Sequence, residues 1–202
     1  MRMVLCAHTL VGLHIPTARP LAIVEKRRFG LLFDSLLITE YLPHTVDLET
    51  LLTIRMRGLS NQQKHWLKQE LTESIIDLIQ RLYASGLVDR DFKAPNVIVQ
   101  WDPQSSHPPC IMLVDLDGIR RLWFGRRRRI LRMIMRLNVS LDGFRNVNRA
   151  DRLRFLKSYL TRTDQDPAVW KPLWRELAAL SDRKRAVRNR HQQRMLKKYG
   201  RF

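Results

Sequence analysis

One short stretch holds the residues best suited to chemistry. Asp89-Arg90-Asp91-Phe92-Lys93-Ala94-Pro95-Asn96 is followed at Ile111-Met112-Leu113-Val114-Asp115 by an apolar run that ends in an acid. Phosphoryl transfer asks little covalent work of a protein and much positioning and charge stabilisation. A carboxylate must orient the attacking hydroxyl and accept its proton, and Asp91 has that chemistry. Lys93 would neutralise charge on the moving phosphoryl group. Asn96 follows Asp91 by five residues, so one loop presents both side chains to one site. Its amide oxygen is a hard ligand suited to Mg²⁺. Asp115 would supply the charged metal ligand at the strand end. Asp117 shares that face if the segment stays extended, and is a second ligand candidate. The spacing D-x-K-x-x-N also fits a polar β-hairpin whose Asp and Asn side chains make turns.

The flanking elements favour the chemical reading. Leu67, Leu71, Ile75, Leu78 and Leu82 step by four, four, three and four, which predicts a helix over 61–85 with one buried stripe. Ser60 is its candidate N-cap and Gly86 its stop. Residues 97–99 and 111–114 are short β runs joined by a polar, proline-containing loop. Upstream, residues 1–14 read as the end of a helix with Val4, Leu5, His8, Leu10 and Leu13 on one side, broken by Pro16. Residues 20–25 and 35–41 read as strands around a turn at Gly30. Asp47 is a candidate N-cap for a short helix. After Gly118 the chain predicts helices: a basic one whose apolar face is Ile130, Leu131, Ile134 and Leu137, and two more over 149–160 and 172–180. Trp170 and Trp174, at i,i+4, are expected in the core. The tail from 183 is expected to be a frayed or solvent-exposed helix.

A chain of 202 residues supports one sizeable domain, and a hydrophobic share of 45% argues against wholesale disorder. Cys6 and Cys110 match no metal-site spacing and read as reduced thiols of a cytoplasmic protein. No stretch approaches the roughly 20 apolar residues of a membrane span. The opening residues do not form a secretory signal, because the apolar part is short and meets Pro16 and Pro20. Charge is unevenly spread. Residues 1–118 carry 12 Lys+Arg against 13 Asp+Glu, whereas residues 119–202 carry 25 against 6. Such asymmetry favours a polyanionic partner: an anionic membrane surface, a phosphorylated glycolipid or nucleic acid. Nucleic acid is the weakest of these, since no helix-turn-helix, zinc or RNA-binding signature is present.

Matched to the kinase signatures H-R-D-L-x-x-x-N and D-F-G, the loop and the strand-end acid resemble the protein-kinase-like fold. Most of all they resemble the bacterial lipopolysaccharide core kinases, the Kdo/heptose kinase family. The segments that carry the match are His14-Ile15-Pro16-Thr17-Ala18-Arg19-Pro20-Leu21-Ala22, Leu37-Ile38-Thr39-Glu40-Tyr41-Leu42, Arg90-Asp91-Phe92-Lys93-Ala94-Pro95-Asn96, Leu113-Val114-Asp115-Leu116-Asp117-Gly118 and Leu196-Lys197-Lys198-Tyr199-Gly200-Arg201. The resemblance implies an α+β, kinase-like chain, with 1–45 as part of a small lobe and hinge and 46–202 as a mostly helical large lobe. It implies ATP-dependent phosphorylation, with Mg²⁺, of a sugar hydroxyl in the inner core of lipopolysaccharide. The place of work would be the cytoplasmic face of the inner membrane, with the basic helices on its anionic surface. Glu40, Tyr41 and Leu42 would be the hinge that meets adenine.

Two departures accompany the resemblance. Asp89 stands where the family pattern has the His that supports the loop. Residues 1–202 also contain no Gly-rich phosphate-cradling turn, and Lys26 lies in the wrong strand to serve as the phosphate-binding Lys. The pattern reads as a kinase without its first strands, through a truncated gene, a wrong start codon or descent into a pseudokinase. Impaired transfer is therefore expected, and a catalytically inactive binding or regulatory module is the alternative.

Overall fold

The computed structural model describes residues 2–104, 107–122, 124–163 and 165–200. Helices and small sheets alternate: α1 (Arg2–Gly12), β1 (Pro20–Arg28), β2 (Leu31–Thr39), β3 (Thr45–Asp47), α2 (Leu48–Thr53), α3 (Asn61–Ala84), β4 (Leu87–Asp89), β5 (Val97–Gln100), β6 (Cys110–Leu113), β7 (Ile119–Arg121), α4 (Arg126–Ser140), α5 (Arg149–Arg162) and α6 (Trp170–Tyr199).

Helix α3 is the spine, and local signals explain its limits. Ser60 and Gln63 form a reciprocal capping box, with Ser60 Oγ accepting from Gln63 N at 3.2 Å and Gln63 Oε1 accepting from Ser60 N at 2.9 Å. The expected stripe from Leu67 to Leu82 is buried, and Ile76 and Ile79 widen it. Gly86, at φ +67°, turns the chain out of the helix and into β4. Asp47 caps α2 as its position suggested, accepting from Thr50 N at 2.8 Å.

Two sheets set the geometry of the chemical segments. In the order β3-β5-β6, β5 pairs antiparallel with β6, with Val97 opposite Leu113. This hairpin brings the end of the 89–96 loop beside the strand that leads to Asp115. The short pair β4-β7 sets Asp89 opposite Ile119, and Arg90 N donates to Gly118 O at 2.9 Å. The loop is thus tied at both ends to the segment around Asp115.

The linker after α1 is clipped to the same hairpin. Leu113 N donates to Pro16 O at 3.0 Å, and Thr17 Oγ1 donates to Leu113 O at 2.8 Å. The buried face of α1 differs from the expected one: Ala7 and Leu10 are fully buried, whereas Leu5 is 59% exposed and Leu13 42%. Periodicity alone admits several faces on so short a helix, and the partner decides which is used. Strands β1 and β2 form a separate antiparallel ribbon, longer than the two predicted runs, turning at Phe29 and Gly30. Both of its faces are open, with Val24, Leu31, Phe33 and Leu36 each more than half exposed.

The C-terminal helices pack around α3. Ile130, Leu131, Ile134 and Leu137 of α4 are buried as their spacing predicts. Helix α6 runs unbroken for 30 residues, where two separate pieces were expected. Pro172 sits in its first turn, where a missing N–H breaks no helix bond. Ser181 is fully buried and accepts from Asn138 Nδ2 at 2.9 Å, which holds the middle of α6 on α4. Asp142 adds a bidentate acceptor for Arg185, at 2.9 Å on each oxygen. Trp170 and Trp174 lie half-buried at the edge of the core rather than inside it. Neither Cys6 nor Cys110 takes part in a disulfide. Among the described residues, no helix is long and apolar enough to cross a membrane.

Candidate active site

β4 delivers Asp89 into the interior at 2% exposure. Its Oδ1 accepts the backbone N–H of Asp91 at 2.7 Å, which fixes the turn of the loop. Phe92, fully buried, anchors the next residue in the core. Ala94 N donates to Ser140 Oγ at 2.9 Å, so the end of α4 holds the loop from behind. Pro95 lies in the 3-10 turn Ala94–Asn96, and Val114 N donates to Asn96 O at 3.1 Å. Every backbone anchor converges on the orientation of three side chains.

Those side chains meet the acid after β6. Lys93 Nζ donates to Asp91 Oδ2 at 2.7 Å. Asn96, only 6% exposed, directs Nδ2 to Asp91 O at 3.1 Å, Asp91 Oδ2 at 3.2 Å and Asp115 Oδ2 at 3.4 Å. Asp115 takes a left-handed conformation, φ +55° and ψ 62°, at the start of the 3-10 turn Leu116–Gly118. Such strain costs on the order of 1 kcal/mol and is tolerated best by short polar side chains. It ends the strand direction at the residue whose carboxylate reaches Asn96. Asp91, Lys93, Asn96 and Asp115, proposed from spacing alone, therefore form one hydrogen-bonded cluster.

Asp117 departs from the extended geometry that its candidacy assumed. It lies inside the 3-10 turn, which rotates about 120° per residue, and its carbonyl accepts from Arg120. The hinge candidates make contacts of their own. Glu40 is paired with Arg19 through main chain and side chain, with Arg19 N donating to Glu40 Oε1 at 2.8 Å. Leu42 O accepts from Thr45 Oγ1 at 2.8 Å, and Tyr41 is 86% exposed.

The donor set suits a hard divalent cation. Two carboxylates converge on the Asn96 amide, which commits its Nδ2 to them and to Asp91 O. Oxygen ligands of this kind, completed by phosphate and water, are what Mg²⁺ prefers.

Three supporting residues escaped the reading from sequence. Asp89 is more than a substitution in the family pattern, because it holds Asp91 in place. Gly118 packs so closely on it that an added Cβ would lie 2.0 Å from Asp89 Oδ1 and 2.8 Å from Asp91 N. Ser140 supports the loop from 46 residues away. The glycine after Asp117 was a visible signal; nothing local marked Ser140.

Burial pushes the Asp89 carboxyl up to about 6, with the nearby Asp91 charge adding to the effect and the Asp91 N–H and Arg136 opposing it. A folded-state value above the unfolded one means that the folded chain holds more protons between about pH 4 and pH 6. Stability from this group therefore falls as pH rises through that window and levels off above it. Asp89→Asn removes the titration and keeps an acceptor oxygen. Its stability relative to the parent should rise across the window by up to about 3 kcal/mol. Urea unfolding at pH 4.5 and pH 8 checks this; an unchanged difference at the two pH values would contradict it.

Comparison with solved structures places the fold. The structure of "WaaP in complex with acyl carrier protein" superposes with a TM-score of 0.62 at 22% identity, covering 87% of this chain and 74% of that one. The fold is thus α+β and kinase-like. At the level of sequence, the pattern of the lipopolysaccharide kinase (Kdo/WaaP) family matches residues 4–159, and the chain belongs to that family. Lipopolysaccharide as substrate and ATP as phosphoryl donor are what membership of such a kinase family implies. A search of curated proteins found no match.

Proposed function

We propose that the chain transfers the terminal phosphoryl group of ATP to a sugar hydroxyl in the inner core of lipopolysaccharide. The observation that carries this reading is the single hydrogen-bonded cluster of Asp91, Lys93, Asn96 and Asp115. Asp91 orients the acceptor hydroxyl and takes its proton. Lys93, half-exposed beside it, turns from Asp91 to the incoming phosphoryl oxygens and offsets their charge. Asn96 and Asp115 hold Mg²⁺, which when bound neutralises the phosphate oxygens of the nucleotide. Glu40, Tyr41 and Leu42 face the adenine; the Glu40 N–H already donates to Arg19 O, which leaves the main chain of Tyr41 and Leu42 to meet it. On this reading residues 1–45 belong to the nucleotide-binding lobe and 46–202 to the catalytic one.

The basic helices suit work at the cytoplasmic face of the inner membrane, where each Lys or Arg near an anionic surface contributes about 1 kcal/mol. Transfer by residues 1–202 is expected to be slow, since they contain no Gly-rich phosphate cradle.

The test is incubation of the chain with γ-labelled ATP, Mg²⁺ and lipopolysaccharide lacking core phosphate. Label should appear in the glycolipid and not when Mg²⁺ is chelated. Tight Mg²⁺-dependent ATP binding without any transfer would instead favour a regulatory, catalytically inactive module. Duplex DNA bound more tightly than lipopolysaccharide at equal salt would favour the nucleic-acid reading.

A further inference from the structure

The basic half is not uniformly basic in effect. Many of its arginines already sit beside a carboxylate: Arg152, Arg185 and Arg188 share Asp142, Arg154 pairs with Asp151, Arg162 with Glu73, and Arg127 with Glu176. Three that do not are gathered with Arg90 of the preceding half. Arg90, Arg129, Arg132 and Arg136, with Val88, line one recess of about 390 Å³. None of the four lies within salt-bridge distance of a carboxylate among the described residues.

Two elements build this recess. Arg129, Arg132 and Arg136 stand at i, i+3 and i+7 on α4, so they share one face of that helix. Val88 comes from β4 and Arg90 from the turn that follows it. The side-chain bonds that the four do make are to main-chain oxygens: Arg129 Nε to Phe124 O at 3.4 Å and Arg136 to Arg132 O at 3.2 Å. These leave most of the guanidinium donors open. Arg136 is half-buried, and its pKa is lowered first by that burial and then by the charge of Arg132, with Asp89 and Asp91 opposing the shift and Arg90 adding to it. Like charges gathered around a concavity raise the energy of the empty recess, and an anion placed there relieves it.

We propose that this recess is a binding site for a phosphate-bearing ligand, either a phosphomonoester on a glycolipid or free phosphate. A tetrahedral dianion matches several guanidinium forks at once, and two negative charges offset the cluster better than one. The volume leaves room for a sugar attached to the phosphate. The site is distinct from the Asp91 cluster and shares the loop with it. Arg90 N is bonded to Gly118 O, so a ligand held by the Arg90 side chain also secures the junction between the loop and the segment of Asp115. Binding at the recess is independent of whether transfer occurs.

The experiment is calorimetric titration of the whole chain with inorganic phosphate at constant ionic strength, with nitrate as the control anion. Arg90 and Arg132 are exposed, so Arg90→Gln with Arg132→Gln removes two guanidiniums without opening the core. This pair should weaken phosphate binding at least tenfold. Arg183→Gln with Arg190→Gln, the same loss of charge on the exposed part of α6, should change it less than twofold. Equal loss in both pairs, or nitrate bound as well as phosphate, overturns the site. Micelles of phosphorylated and of dephosphorylated lipopolysaccharide identify the source. Micelle binding that requires the phosphate and falls in the Arg90/Arg132 pair assigns the recess to the glycolipid. A response confined to inorganic phosphate assigns it to the free anion.

Discussion

Asp91→Asn should lower the rate of phosphoryl transfer to glycolipid by 10²- to 10⁴-fold, the range that a positioned general base commonly contributes. The substitution keeps the shape of the side chain and removes the carboxylate that meets the hydroxyl. It also breaks the ion pair with Lys93, but both partners are 40% to 47% exposed, so stability should move by no more than about 1 kcal/mol. That separation makes the variant informative: a large kinetic loss on an unchanged fold points to chemistry. Asp115→Asn should abolish transfer through a different route. It retains a neutral oxygen for Asn96 and loses the charged ligand proposed for Mg²⁺, so raising the Mg²⁺ concentration should partly restore its rate and leave that of Asp91→Asn unchanged. Rates in steady state over a Mg²⁺ series check both. Full turnover by either variant would remove the site assignment.

Gly118→Ala should be the most damaging small substitution in the chain. The new methyl would sit 2.0 Å from Asp89 Oδ1 and 2.8 Å from Asp91 N. No rotation of a flexible side chain relieves this, because one of the two atoms is backbone and the other is its 2.7 Å hydrogen-bond acceptor. The bond between Asp89 and Asp91 must break or β4 must move from β7. Overpacking together with a lost buried hydrogen bond gives an expected cost of about 2–4 kcal/mol, with activity falling alongside. Asp89→Ala removes one of the clashing atoms. In the double variant the added cost of Gly118→Ala should therefore be clearly smaller than in the parent background. Denaturant unfolding of the four chains measures this coupling; additive losses would show that the two residues are not in contact.

Both predictions rest on a loop whose character was legible in the chain and whose support was not. The order Asp91, Lys93, Asn96 and then Asp115 named four groups that the fold does bring together. The helix from Asn61 to Ala84, its cap at Ser60 and the buried face of α4 were also legible. Each of these is written within a few turns of chain, by side-chain period or by a cap bonded three residues away. The errors are of the opposite kind. The face of α1 came out rotated, because its burial depends on the segment 115–118 against which it packs. The extended strand assumed for Asp117 is instead a 3-10 turn that begins after the left-handed Asp115. Helix α6 was divided at the loss of apolar residues near 183, although Ser181 and Arg185 tie that region to α4 and its end through Asn138 and Asp142.

Residue types and local spacing thus determined by themselves which four polar side chains stand together, which helices flank them and that positive charge gathers in the second half. The tertiary structure alone decided that Asp89 clamps Asp91 and that Gly118 leaves the clamp room. It also decided which arginines find a carboxylate and which four line one recess. The physical reason is one of range. Helix period and capping act between neighbours along the chain, whereas a clash, an ion pair or a recess depends on where packing brings residues that lie tens of positions apart.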